Sequence, residues 1–240
     1  MIKAIVFDFG QTLVDSAAGF RLAEKVAKEE IFAAVKISRK SLNQQVFLDE
    51  YRHIRKFFHN NSNFSRVAIW KAVLELFAVQ EKTIALEQME KEYWERVKQK
   101  TTPFPETLIV LEKLAKQYQL GIISNTQGQK ADNGHRMALF PEIESYFDVI
   151  VIAGESGIPP KPASQPFEMC LQQLSIKPQE AIYVGDDYRN DVKGSENAGL
   201  QPVWLKHRLV QRNWPEVKTT AIMIKDLNEL LTLKVDNYHE

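Results

Sequence analysis

The feature of the sequence that most constrains the fold is a series of short apolar runs rich in β-branched residues. Because apolar residues occupy consecutive positions, these runs are typical of parallel strands buried on both faces. They cover residues 2–7, 119–124, 149–153, 181–185, 202–205 and 221–224. Segments of helical periodicity lie between them, at residues 106–117, 165–174, 190–198 and 227–233. This alternation predicts an α/β fold with a doubly wound, Rossmann-like parallel sheet.

Residues 15–100 interrupt the alternation. They contain no convincing strand, and their apolar residues recur at helical spacing, as in Trp70, Leu74 and Phe77. Prolines within residues 101–105 end the stretch. We therefore predict an α/β core built from residues 1–14 and 101–240, with an inserted all-helical cap of four helices at residues 15–100. Because the insert leaves from the carboxyl edge of the first strand, we expect it to cover a site there as a lid.

Composition excludes several classes of function. The 31 Lys and Arg residues balance the 31 Asp and Glu residues, so no strong basic field favours nucleic acid. No apolar run approaches the roughly 20 residues that a membrane helix needs, and the short N-terminal run is unlike a signal peptide. The single Cys170 excludes an internal disulfide and a cysteine-based zinc site. We expect a cytoplasmic protein without nucleic-acid or membrane partners, and its oligomeric state stays open.

Acidic, hydroxyl and amide residues come directly after the apolar runs, where the carboxyl edge of the sheet is expected. These segments are Asp8-Phe9-Gly10-Gln11-Thr12, Ser124-Asn125-Thr126 and Gly185-Asp186-Asp187 with Asp191, and Lys161 precedes the helix predicted at 165–174. Carboxylates that converge on one edge repel each other unless a cation lies between them, and oxygen ligands favour Mg²⁺. A lysine and a hydroxyl nearby would suit a phosphoryl group.

In this order, and with a helical insert after the first, the four segments resemble the motifs of the haloacid dehalogenase-like hydrolase superfamily over essentially the whole chain. The resemblance implies a magnesium-dependent phosphohydrolase that acts on a small phosphorylated metabolite through an aspartyl-phosphate. The roles that it implies are catalysis for Asp8 and Lys161; substrate binding for Ser124, Asn125 and Thr12; and Mg²⁺ binding for Asp8, Gly10 through its carbonyl, Asp186 and Asp191.

The first motif departs from the pattern of the family's phosphatases, which carry Asp-x-Asp-Gly-Thr there. Gly10 occupies the place of the second Asp, the general acid/base that protonates the leaving alcohol and then activates water. Loss of such a group typically costs ~10²–10⁴-fold in rate, so the enzyme is expected to be slow. The alternative is a catalytically weakened member of the family that binds a phosphorylated ligand or a partner protein.

Two other chemistries of the superfamily also lack an acid at this position. Haloacid dehalogenases need none, but they lack the metal-binding acids of the last motif, which Asp186 and Asp191 supply here. Enzymes similar to phosphonoacetaldehyde hydrolase carry a small residue there, keep Mg²⁺ and use a cap lysine as a Schiff base. Lys40 or Lys56 could take that role, although nothing in the sequence singles out either.

Overall fold

The computed structural model describes residues 1–61, 63–80, 85–126, 128, 137 and 140–233. These residues form two compact units. The α/β unit comprises Met1–Asp15 and the described residues from Thr102 onward, except Gly128. The helical unit comprises Ser16–Thr101 together with Gly128. Among the described residues, no helix combines the length and the apolar character needed to cross a membrane.

The α/β unit is built on a six-stranded sheet. Its strands are β1 (Ala4–Phe7), β4 (Gln119–Asn125), β5 (Val149–Ala153), β6 (Ala181–Gly185), β7 (Gln201–Leu205) and β8 (Ile222–Ile224). They are ordered β5-β4-β1-β6-β7-β8, and every neighbouring pair is parallel. The predicted fold class, with a parallel sheet in an α/β arrangement, is confirmed.

The central strand β1 shows why the apolar runs are continuous. All four of its residues are buried. Ile5 and Phe7 pack into the hydrophobic cluster on one side of the sheet, whereas Ala4 and Val6 pack into the cluster on the other side. Because successive side chains of a strand point to opposite faces, a strand with helices on both faces needs apolar residues at every position.

A second, two-stranded sheet was not predicted. Strand β2 (Val14–Asp15) pairs antiparallel with β3 (Thr102–Pro103), so the chain leaves and re-enters the α/β unit side by side. Two residues are too few to show the alternation of apolar and polar residues by which a strand is read from sequence.

In its described residues the helical unit has four α-helices: α1 (Ala17–Ser38), α2 (Gln44–Asn60), α3 (Arg66–Leu76) and α4 (Leu86–Gln99). Local capping explains two of the helix starts. The Asn43 side chain accepts a hydrogen bond from the Gln45 N–H at 2.7 Å, and the Ser65 hydroxyl accepts one from the Ala68 N–H at 3.2 Å. The unit has a hydrophobic core of its own that includes Phe47, all of it from these helices and their flanking turns.

The helices of the α/β unit are short. They are α5 (Thr107–Leu114), α6 (Pro141–Glu144), α7 (Gln165–Leu174) and α8 (Gly194–Asn197), with 3₁₀ turns at Pro178–Glu180 and Leu227–Leu231. The helix predicted at 190–198 is divided, since Tyr188–Lys193 form a π-type turn before α8. In that turn the Val192 N–H donates to the Asp187 carbonyl at 3.2 Å. The Asp-Asn-Gly sequence at 132–134 predicts a turn, but it lies outside the described residues.

Candidate active site

Three carboxylates meet at the carboxyl ends of β1 and β6. Asp8 follows β1, and its N–H donates to the Val184 carbonyl at 2.9 Å, which continues the pairing of β1 with β6. Asp186 follows β6, and Asp191 lies in the π-type turn. Oxygen atoms of the three carboxylates lie within 4.8 Å of one another, and all three residues are buried.

This cluster fits a hard divalent cation such as Mg²⁺. Burial, together with the nearby charges of Asp191 and Asp8, raises the pKa of Asp186 well above its ordinary value. Burial also raises the pKa of Asp191, to about 6, although Lys161 opposes the shift. Carboxylates that repel each other and avoid ionisation in this way are stabilised when a cation shares their oxygens.

Lys161 supplies a positive charge that compensates part of the negative charge of the three carboxylates. Its side chain is almost fully buried, and its Nζ donates to Asp8 Oδ1 and to Asp191 Oδ1, each at 2.7 Å. Nζ also lies 2.9 Å from the Ile123 carbonyl. Burial alone would lower the pKa of Lys161, but the carboxylates of Asp191 and Asp8 outweigh it and the pKa is raised. The lysine is therefore a fixed cation beside Asp8.

Asn125 holds the backbone of this lysine. The Lys161 N–H donates to Asn125 Oδ1 at 2.8 Å, and Asn125 Nδ2 donates to the Lys161 carbonyl at 3.1 Å. Both ends of the amide are therefore engaged with the loop that carries the lysine. Ser124, its neighbour at the end of β4, is half-buried and makes no hydrogen bond through its side chain among the described residues.

The turn after Asp8 contains the residue without a side chain. Gly10 bridges to Val14, and the Gln11 N–H donates to the Val14 carbonyl at 2.7 Å. Gln11 takes a left-handed backbone conformation with φ of +62°, which is uncommon for a residue other than glycine. Thr12 is fully buried, and its hydroxyl lacks a hydrogen-bond partner within the described part of the chain. No carboxylate stands at position 10 to act as an acid.

Tyr183 belongs to the cluster but was missed in the sequence. It lies in β6, and its hydroxyl is 2.7 Å from Lys161 Nζ and 3.2 Å from Asp191 Oδ1. Burial, followed by the charges of Asp191 and Asp8, raises its pKa well above the ordinary value, so the hydroxyl stays protonated. In an apolar run a tyrosine is indistinguishable from a core residue, and no signal in the sequence identifies its hydroxyl.

Gly185 was also overlooked, although a spatial reason requires a glycine there. A Cβ atom on Gly185 would lie 2.5 Å from the Cβ and Cγ atoms of Asp191. Asp187 caps the π-type turn, because its Oδ1 accepts hydrogen bonds from the N–H groups of Arg189 and Asn190. The glycine and the cap together let Asp191 approach Asp8.

Arg212 is the third residue that sequence reasoning missed. It lies in the long segment between β7 and β8, and its Nη1 donates to Asp186 Oδ2. Its Nη2 is 3.7 Å from Asp187 Oδ2, and its guanidinium lies 4.4 Å from the ring centroid of Trp214. The sequence contains no motif around this arginine, and 25 residues separate it from Asp186 along the chain. Arg212 thus occupies an oxygen of one of the clustered carboxylates.

Comparison with known proteins matches most of the chain to the family whose motifs the sequence resembles. Residues 5–205 match the family described as haloacid dehalogenase-like hydrolases. The chain is 26% identical to the glyceraldehyde 3-phosphate phosphatase of Methanothermobacter thermautotrophicus, over 98% of this chain and 99% of that protein. It is 30% identical to the pyrophosphatase PpaX of Bacillus cereus, over 52% of this chain and 56% of that protein.

Solved structures share the fold at lower sequence identity. A 2-haloacid dehalogenase from Pseudomonas syringae has a TM-score of 0.68 at 23% identity, with 97% of each chain covered. A phosphatase of the haloacid dehalogenase family from Thermococcus onnurineus has a TM-score of 0.63 at 22% identity, covering 96% of this chain and 97% of that one. With the family match over residues 5–205, the resemblance read from the four motifs is confirmed: the chain belongs to the haloacid dehalogenase-like hydrolases.

Proposed function

We propose that the protein is a magnesium-dependent phosphohydrolase that acts on a small phosphorylated metabolite through an aspartyl-phosphate. The observation that carries the proposal is Asp8, whose Oδ1 lies 2.7 Å from the Lys161 ammonium in a cluster with two more buried carboxylates. A relative that aligns with 98% of this chain, at 26% identity, is named as a phosphatase, and this supports the same reaction class. The fold alone does not distinguish it from dehalogenation, because a 2-haloacid dehalogenase shares that fold.

In the proposed reaction an Asp8 carboxylate oxygen attacks phosphorus and the bond from phosphorus to the leaving oxygen breaks. Water then attacks the phosphorus of the aspartyl-phosphate, which releases inorganic phosphate and restores Asp8. Lys161 neutralises charge on Asp8 and on the phosphoryl oxygens, and Tyr183 and Asn125 hold that lysine in place. Ser124 and Thr12 are proposed to bind the phosphoryl group.

Asp8, Asp186 and Asp191, with the Gly10 carbonyl, are the proposed Mg²⁺ ligands. Bound Mg²⁺ would supply positive charge to the transferring phosphoryl oxygens. The chain itself places three carboxylates against two cations, Lys161 and Arg212, so the cluster is short of positive charge. A divalent cation would more than offset that single excess negative charge and would leave positive charge for a phosphoryl group.

Gly10 sets the expected rate and leaving-group dependence. A glycine supplies no proton to the leaving oxygen, so hydrolysis is expected to be fast only for leaving groups that are stable as anions. We therefore expect a steep dependence of the rate on the pKa of the leaving alcohol. An Asp at position 10 would flatten that dependence, because the acid helps poor leaving groups most.

The test is hydrolysis of p-nitrophenyl phosphate and of an alkyl phosphate, with Mg²⁺ and with EDTA. The wild type, Asp8→Asn and Gly10→Asp are compared, and Asp49→Asn is the matched control because Asp49 is an exposed acid in the helical unit. We expect turnover of the aryl phosphate that requires Mg²⁺, is unchanged in Asp49→Asn and falls at least ~10³-fold in Asp8→Asn. Gly10→Asp should raise the rate mainly on the alkyl phosphate.

Two other outcomes would redirect the proposal. If the wild type equals Asp8→Asn but Gly10→Asp is active, the protein is a weakened family member that binds a phosphorylated ligand or partner. The absence of an acid at Gly10 is the observation that favours this second candidate. If none of the variants hydrolyses either phosphate, the phosphohydrolase proposal is wrong, and release of halide from a 2-haloacid becomes the next assay.

A further inference from the structure

The helical unit contains a cavity of about 560 Å³, and every described residue that lines it belongs to one of the helices α1 to α4. This volume lies within the range of ~300–1,000 Å³ that is usual for small-molecule sites. Part of its wall is apolar and comes from Phe20, Phe32, Phe47 and Leu48. The rest is charged, with five cations (Arg21, Lys25, Lys28, Arg55 and Arg66) against two carboxylates (Glu24 and Glu29). The excess of positive charge favours an anionic occupant.

Arg66 is the residue that distinguishes this cavity from an ordinary surface depression. Its exposed fraction is 2%, yet it forms no ion pair within the described part of the chain. Its Nη1 donates to the Phe64 carbonyl at 3.2 Å, and its guanidinium lies 5.2 Å from the ring centroid of Tyr93 and 5.6 Å from that of Trp94. Its Nε has no acceptor among the described residues. A buried guanidinium with an unused donor costs free energy that a bound oxyanion would recover.

Arg55 provides a second guanidinium on the cavity wall. Its Nη1 lies 3.3 Å from Glu24 Oε1, and its Nε has no acceptor among the described residues. Glu24 is itself buried and is fixed by the Tyr93 hydroxyl, which donates to Glu24 Oε2 at 3.2 Å. Arg55 is thus paired with Glu24 by charge, and its Nε–H has no acceptor among the described residues.

The charge of this region also acts on a neighbouring histidine. Burial, followed by the charges of Arg55 and Arg66, lowers the pKa of His59 to about 4. Burial is the main cause of this lowered pKa, and the two guanidinium charges add to it, so both arginines lie close enough to His59 to act on its imidazole.

We propose that this cavity is a binding site for a small organic anion, with a carboxylate or phosphate held by Arg66 and Arg55 and an apolar body against the phenylalanine wall. The site does not depend on the proposed phosphohydrolase activity. The guanidinium group is a strong donor to carboxylate and phosphate oxygens, and each of the two arginines has an Nε–H without an acceptor among the described residues.

The experiment titrates the full chain with phenylphosphonate, an aromatic oxyanion that cannot be hydrolysed as a phosphate ester. Calorimetry and tryptophan fluorescence report binding, because Trp94 lies beside Arg66. Arg55→Gln is the main variant, since its side chain is 38% exposed and its replacement should preserve the fold. Arg52→Gln is the matched control, because Arg52 lies on the same helix, is 71% exposed and pairs with Asp49 away from the cavity.

We expect saturable binding that weakens about tenfold in Arg55→Gln and changes less than about twofold in Arg52→Gln. Asp8→Asn should bind as the wild type does, and benzylamine, which replaces the anion by a cation on a similar ring, should not bind. Thermal melts of each variant check that the fold is retained.

Three results would overturn the proposal. The first is absence of saturable binding by the wild type. The second is equal weakening in Arg55→Gln and Arg52→Gln, which would indicate general charge attraction. The third is binding that is lost in Asp8→Asn but kept in Arg55→Gln, which would assign the phenylphosphonate to the cluster around Asp8 instead.

Discussion

Among the described residues, each unit of the protein buries one long cationic side chain, but the two side chains have different surroundings. Lys161 in the α/β unit is 4% exposed and lies against two carboxylates, a carbonyl and a tyrosine hydroxyl. Arg66 in the helical unit is 2% exposed and has one carbonyl and two aromatic rings. The first is compensated by the fold, whereas the second keeps an unused donor. Burial of a charge is therefore no measure of its role until its partners are counted.

The largest expected effect is a difference in the free energy of unfolding between variants that remove Lys161 and variants that remove Arg66. Lys161→Met leaves Asp8 and Asp191 buried without their cation, so we expect the free energy of unfolding to fall by about 3–5 kcal/mol in EDTA. Arg66→Met removes a charge that has no carboxylate partner, so we expect a change within about 1 kcal/mol. Urea unfolding of the two variants beside the wild type measures both. An equal loss in the two variants would mean that Arg66 is as well compensated as Lys161, and the comparison would fail.

The second prediction is that Asp191 in the α/β unit and His59 in the helical unit change the free energy of unfolding with pH in opposite directions. Burial raises the folded-state pKa of Asp191 to about 6, so its contribution to stability is present below pH ~4 and is lost as pH rises to about 6. Burial lowers the folded-state pKa of His59 to about 4, so its contribution is present above pH ~6.5 and is lost as pH falls.

Unfolding in EDTA between pH 4 and pH 7 tests both signs. Relative to Asp191→Asn, the wild type should lose on the order of 1–3 kcal/mol as pH rises across this range. Relative to His59→Gln, it should gain stability over the same interval, by a smaller amount because His59 is half-buried. Parallel curves for the wild type and either variant would show that the corresponding group does not titrate with folding.

The smallest expected effect is a change in Mg²⁺ affinity when an arginine that pairs with a buried acid is replaced, and each unit has such an arginine. Arg212 donates to Asp186 in the α/β unit, and Arg55 lies beside Glu24 in the helical unit. Because Arg212 competes for an oxygen of a proposed metal ligand, Arg212→Ala should tighten Mg²⁺ binding by about three- to tenfold. Arg55→Gln should leave Mg²⁺ affinity unchanged. Calorimetric titration with Mg²⁺ checks both, and weaker binding by Arg212→Ala would contradict the idea of competition.

Much of the α/β unit could be predicted from the sequence because its signals are local. Five of the six runs predicted as strands, among them residues 149–153 and 181–185, begin and end within one residue of the observed strands. The acids after β1 and β6 could be placed together, because parallel strands carry their carboxyl ends to a common edge. The roles of Ser124 and Thr12 in phosphoryl binding and of the Gly10 carbonyl in Mg²⁺ binding stay predictions.

The amino-acid sequence by itself determined the parallel sheet, the presence of helices between β1 and β4, and the family, since each follows from apolar periodicity or from motif order. The tertiary structure decided what surrounds the charges. In the folded chain the Tyr183 hydroxyl contacts Lys161 Nζ, and Asn125 hydrogen-bonds to the backbone of that lysine. Arg212 pairs with Asp186. The tertiary structure also buried Arg66 without a carboxylate. These contacts join residues far apart in the chain, and a side chain's periodicity shows whether it is buried but not which group will face it.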